Sequence, residues 1–258
     1  MQAVSSMGLD LQDGPFRVTD LGTLLRGPDS MIVSEELART DGAVSVFRRY
    51  GSRSYTISGT IRENTASALE QAIDQLKLSL LQQKGETVIG WAGGSRYYPS
   101  ECNNVMISRG ASELTRCSYS AQFFMEKPFA HNGTVETLAT ASAQTTASQQ
   151  LSTNNIGTYL ASPLIEITFT AIEPDDSDVT ITIGNPATSE YLAITDTFAD
   201  GDILEIDLDN KQIFHNGELL NPVGEWPEWT PGSGLLDYSD DADSRTIDIN
   251  ATYQPRYL

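Results

Sequence analysis

The side chains of this 258-residue sequence able to serve as acids, bases, nucleophiles or metal ligands are few in kind: two histidines, two cysteines and 35 carboxylates. His131 borders a polar stretch and His215 precedes the turn dipeptide Asn216-Gly217, so both read as solvated loop histidines and not as general bases. Neither stands near a cysteine pair or inside an HExxH frame, and Cys102 with Cys117 falls short of a four-ligand zinc set. No nucleophile elbow, phosphate-binding glycine loop or dinucleotide fingerprint occurs. Carboxylates are so abundant that no single glycosidase-type pair stands out. The expectation is a protein with no catalytic residues, no metal and no cofactor.

Other constellations have two readings each. Asp175-Asp176-Ser177-Asp178 and the Asp237–Asp243 run could gather calcium, but neither follows the twelve-residue loop pattern, and solvated acidic loops explain them more simply. Trp226-Pro-Glu-Trp229 is a candidate sugar-stacking platform or, preferably, the packed corner of a sandwich. Cys102 and Cys117 would face each other across a hairpin if Arg109-Gly110 were a two-residue turn, which makes a disulfide geometrically possible; two buried free thiols are the preferred reading. Arg48, Arg49 and Arg53 crowd six positions of a strand-like run. Arginine favours subunit interfaces because its fork pairs carboxylates, while a solvated strand edge would hold it equally well.

Charge divides the chain. The formal net charge is −19, and residues 138–258 carry −17 of it with three basic groups, Lys211, Arg245 and Arg256. Such a half repels phosphate backbones and anionic membranes, so neither nucleic acid binding nor membrane insertion is expected. No run of eighteen apolar residues occurs, and Met1–Gly8 lacks the basic and apolar regions of a secretory signal. Twelve of the sixteen basic residues are arginine and four are lysine. An acid-rich, lysine-poor surface suits concentrated salt; an ordinary acidic protein is the plainer reading.

These residues must be positioned by elements of two periods. Ser54–Ile61 alternates Tyr55, Ile57 and Gly59 against Thr56, Ser58 and Thr60, a half-buried strand. Leu69, Ile73, Leu76 and Leu80 then mark one face of a helix over about 65–83, with Asn64 as N-cap and Gly85 as its stop. Residues 132–157, rich in Thr, Ser, Ala and Gln, read as a linker or a polar strand edge, and from Ser162 short strands dominate again. The domain expectation is 1–137, a linker 138–157, and an antiparallel sandwich over 158–258.

Asp41-Gly-Ala-Val44, Arg48–Ile61, the leucine-spaced helix, Arg96-Tyr-Tyr98 and Phe124–Phe129 follow in an order that resembles the distal tail proteins of long-tailed, siphovirus-like viruses. Gly201–Asp207, Lys211–Gly217, Trp226–Gly232 and Ile247–Arg256 continue the likeness, although Ser233 stands where relatives often have asparagine and the first twenty residues match poorly. The resemblance implies a mainly β chain: an N-terminal β-rich ring domain with one helix and a galectin-like C-terminal sandwich. It further implies a structural virion protein at the tail tip, assembled in the host cytoplasm as a homo-hexameric ring. The ring would join the tail tube protein to tail hub or adsorption proteins and let DNA pass unbound. A carbohydrate-binding adsorption protein is the alternative.

Overall fold

A computed structural model describes residues 3–36, 43–81, 84–173 and 177–258; the side chains at 33–36, 43–48 and 177 lie outside the description. The chain forms two compact units, Met1–Gly133 with Leu258, and Thr134–Tyr257. No helix among the described residues is long and apolar enough to cross a membrane.

The first unit comprises β1 (Ala3–Ser6), β2 (Leu9–Asp10), β3 (Phe16–Asp20), β4 (Ser30–Glu36), β5 (Ala43–Tyr50), β6 (Arg53–Arg62), α1 (Ala66–Leu81), β7 (Lys84–Trp91), β8 (Gly94–Ser108), β9 (Arg116–Met125) and β10 (Ala130–His131). Its main sheet runs β2-β1-β7-β8-β9-β6-β3, with β10 on β8, while β4 and β5 form a separate two-stranded sheet. The alternation in β6 sets its faces: Tyr55, Ile57 and Ile61 are buried, and Thr56, Ser58 and Thr60 are not. Tyr55 keeps its hydroxyl satisfied inside the core by Thr87 and Ser100, both at 2.8 Å, and burial pushes it up to about 12.

Helix α1 buries Leu69, Ala72, Ile73, Leu76 and Leu80, the face set by its leucine spacing. Its N-cap is Thr65 and not Asn64, because the Thr65 hydroxyl accepts the Ala68 amide at 3.1 Å. Gly85 does not stop the helix either; it lies in β7, where a Cβ would press on the Met7 sulfur. Cys102 and Cys117 are not cross-strand neighbours. The β8–β9 connection is longer than two residues, so Cys102 faces Phe123 and Cys117 faces Ile61, and both are buried free thiols.

Gly59 has a packing reason. It sits opposite Tyr119, and a Cβ there would lie 2.5 Å from the tyrosine ring and closer still to the Arg17 carbonyl. Gly59→Ala is therefore expected to cost about 1–3 kcal/mol through overpacking, read as a lower melting temperature of the first unit. An unchanged melt would mean that the ring of Tyr119 moves aside freely.

The second unit contains β11 (Glu136–Gln144), β12 (Ser148–Asn155), β13 (Leu164–Glu173), β14 (Ser177–Asn185), β15 (Glu190–Phe198), β16 (Ile203–Asp207), β17 (Gln212–His215), β18 (Glu218–Leu220), β19 (Val223–Gly224), β20 (Gly232–Asp240) and β21 (Ser244–Tyr253). Two antiparallel sheets, β11-β21-β13-β16-β17-β18 and β12-β20-β14-β15-β19, enclose one core of Ile165, Ile167, Phe169, Ile181, Ile183, Phe198, Ile206, Ile247 and their neighbours. Asn216 and Gly217 have φ of 49° and 84°, which makes the two-residue turn joining β17 to β18.

The expected linker over 138–157 is instead two strands, β11 and β12, one in each sheet. Leu138, Ala139, Leu151, Thr153 and Asn155 point inward from an otherwise polar run, and threonine suits a strand surface as well as a loop. The second unit thus starts near Thr134, well before residue 158.

His215 is no solvated loop residue. Its Nδ1 lies 2.8 Å from Asp196 and its Nε2 3.0 Å from Asp202, so β17 of one sheet is tied to β15 of the other. Burial works against the charge, but the two carboxylates outweigh it and raise the imidazole above its ordinary value. Asp202 is opposed by burial too, yet Asn216, the Ala199 amide and His215 hold it below the usual carboxylate range. A raised histidine adds stability below its unfolded value that is lost as pH rises through the folded one; a depressed aspartate adds stability that is lost as pH falls through its own. His131 behaves oppositely: burial outweighs Glu86 and lowers it, and its Nδ1 accepts the Gly133 amide at 3.1 Å. The two histidine ring signals in a proton NMR titration are expected to move on opposite sides of the ordinary value near 6.5. In His215→Asn the pH-dependent loss of second-unit stability above neutrality is expected to vanish. Coincident titrations at the ordinary value would contradict both environments.

Candidate assembly surface

Among the described residues β4 and β5 pair with each other and join no other sheet. Their register sets Met31 opposite Arg49 and Ile32 opposite Arg48. Met31 and Ile32 are 52% and 57% exposed, and the Arg49 guanidinium rests 3.5 Å from the Met31 sulfur. The side chain of Arg48 lies outside the described residues. A two-stranded ribbon is marginal by itself in water, so apolar groups on such a ribbon favour burial against another surface.

Arg53 is placed differently. Its guanidinium donates to the Leu24 carbonyl at 2.9 Å and to the Arg26 carbonyl, and sits 5.9 Å from the centroid of the Tyr98 ring. Burial lowers its pKa against the pull of Tyr98, Tyr55 and Asp29. Its fork is committed to the backbone of the segment after β3.

Three arginines that sequence spacing did not single out do converge. Arg17 of β3, Arg62 of β6 and Arg116 of β9 line one cleft with Thr60, Asn64 and Glu63. Register places Arg62 directly opposite Arg116 and Arg17 opposite Thr60. The signal available in sequence was Arg62 itself, which continues the outward positions Thr56, Ser58 and Thr60. Its partners come from strands remote in sequence.

In the second unit Trp229 is 2% exposed, and its Nε1 donates to the Leu235 carbonyl at 2.8 Å. The buried amides of Asn185 and Asn155 donate to the carbonyls of Glu228 and Trp229 at 2.7 and 3.0 Å, which fixes this loop into the sandwich. Trp229 has no ring face to offer a sugar, and Trp226 packs partly against the same core. Asp175 and Asp176 lie outside the described residues. Of the other acidic run, Asp240 receives Arg245 and Tyr238, and Asp241 accepts the Thr180 amide. No metal-holding cluster occurs among the described residues.

Residues 156–257 match the family model described as siphovirus-type tail component, C-terminal domain, which covers the second unit from the end of β12 onward. The chain resembles the siphovirus-type tail components over that segment. Its fold extends the likeness to the first unit. The crystal structure of SPP1 Dit (gp 19.1), described as a paradigm of hub adsorption apparatus in Gram-positive infecting phages, superposes over 100% of both chains with a TM-score of 0.68 at 16% identity. The phage P2 baseplate in its calcium-activated conformation is similar over 98% of both chains, with a TM-score of 0.48 and 10% identity. No curated protein matches the sequence.

Proposed function

We propose that this tail component is a distal tail protein, a non-enzymatic connector that closes into a six-membered ring between the tail tube and the tail hub or adsorption proteins. The observation that carries the reading is the coincidence of a tail-component domain in the second unit with an end-to-end fold likeness to a solved hub protein. Charge agrees. The first unit is nearly neutral, with thirteen basic and fourteen acidic groups, which suits packing among copies; the second, with twenty-one acidic and three basic groups, suits solvent. The ribbon β4–β5, with Met31, Ile32, Arg48 and Arg49, supplies contact surface between copies, and Arg53 stiffens the segment beside it. The protein reaches the virion tail tip by assembly in the host cytoplasm. In native mass spectrometry the full chain is expected as a closed hexamer, and residues 1–133 alone are expected to retain ring formation. A fragment that stays monomeric where the full chain assembles would remove the ring from the first unit.

A further inference from the structure

We infer that the arginine cleft of the first unit receives carboxylates from the acidic second unit of another copy of this chain, an inference that rests on the assembly proposed above. Arg62 and Arg116 are exposed and face each other across adjacent strands, an arrangement of like charges that destabilises a sheet when nothing lies between them. The chain carries 35 acidic groups against sixteen basic ones, yet among the described residues no carboxylate pairs with Arg62, Arg116 or Arg17. Glu63, the one acid in the lining, forms no ion pair with them. The cleft is also built in advance. Arg17 is held by the carbonyls of Gln12 at 2.9 Å and Gly14 at 3.3 Å, and the Arg62 amide bonds the Pro15 carbonyl at 3.0 Å.

Charge complementarity selects the occupant. The second unit has twenty-one acids and three bases, and two of those bases are already taken: Arg245 by Asp240, and Arg256 by Asp209. Its unpaired carboxylates are therefore the chemistry that three convergent guanidinium forks fit, through charge-assisted and bidentate hydrogen bonds. A second copy brings that surface wherever the chain assembles.

The test compares the full chain with Arg62→Gln/Arg116→Gln and with Arg62→Glu/Arg116→Glu at about 0.15 M salt. Self-association is measured by sedimentation and native mass, and a hexaglutamate peptide and inorganic phosphate serve as probes. The glutamine pair is expected to weaken both self-association and peptide binding by about tenfold or more, the glutamate pair to abolish peptide binding and weaken self-association further while contacts between first units remain, and neither to lower the melting temperature of the first unit. A wild type that is monomeric overturns the assembly reading itself. A wild type and variants that assemble alike overturn the cleft inference alone, whether the peptide binds or not. Phosphate binding without peptide binding or an effect on assembly reduces the cleft to an anion site and overturns the inference too.

Discussion

Arg245→Ala is expected to destabilise the second unit by about 3–5 kcal/mol, because it strands a buried carboxylate. The side chains of Arg245 and Asp240 are 6% and 1% exposed. Arg245 donates from Nε at 3.0 Å and from a terminal nitrogen at 2.7 Å to the same Asp240 oxygen, and also reaches the Ala242 carbonyl. Tyr238 donates to the other Asp240 oxygen at 2.7 Å, and the Ala242 amide donates to the first at 3.0 Å. The cluster closes the β20–β21 turn, where Ser244 begins the strand that pairs with both β11 and β13 in the six-stranded sheet. Removing the arginine leaves the carboxylate without its cation, whereas Arg245→Met with Asp240→Asn should recover much of the loss by restoring neutrality and bulk. Chemical denaturation of the three proteins checks this. A loss under about 1 kcal/mol for Arg245→Ala would show that the pair is as weak as an exposed one.

The second large effect is expected from salt. With twenty-one acids and three bases over residues 134–257, and two of the bases tied into local pairs, the carboxylates of this unit far outnumber the cations that could offset them. At about 0.1 M salt the screening length is near 10 Å, so neighbouring exposed carboxylates still repel by a few tenths of a kcal/mol each. Their sum reaches several kcal/mol against the roughly 5–15 kcal/mol that stabilises a domain. At about 1 M salt the screening length is near 3 Å and most of the repulsion is gone. The melting temperature of the second unit is therefore expected to rise by roughly 10 °C between those salt concentrations. The fragment for this test must begin at Thr134, since one begun at 158 would lack β11 and β12. We propose on this ground that the chain serves a virus of a salt-loving host. A melting temperature that ignores salt would leave the acidic surface as an ordinary solubility device.

What sequence made legible was local. The period of two in Tyr55, Ile57 and Ile61 and the helical spacing of Leu69, Ile73, Leu76 and Leu80 depend only on near neighbours, and both faces are buried where spacing puts them. The turn at Asn216-Gly217 is equally local. What stayed hidden depends on register between distant strands. His215 finds Asp196 nineteen residues away on the opposite sheet. Arg17, Arg62 and Arg116 meet only because β3, β6 and β9 are neighbours. Cys102 and Cys117 are the buried free thiols that the sequence reading preferred, and it is the length of one hairpin connection, shifting every partner along the strands, that keeps them from facing each other. The polar strands β11 and β12 looked like a linker because their inward positions are small or polar, Ala139, Thr153 and Asn155 among them.

The central claim, that this chain is the ring at the end of the tail, is tested most directly on the particle. Gold-labelled antibody raised against the second unit and imaged on intact virions is expected to mark the tail tip alone, at the junction of tube and baseplate. Label along the tube, on the capsid, or absent from intact virions that contain the chain by mass spectrometry would contradict it.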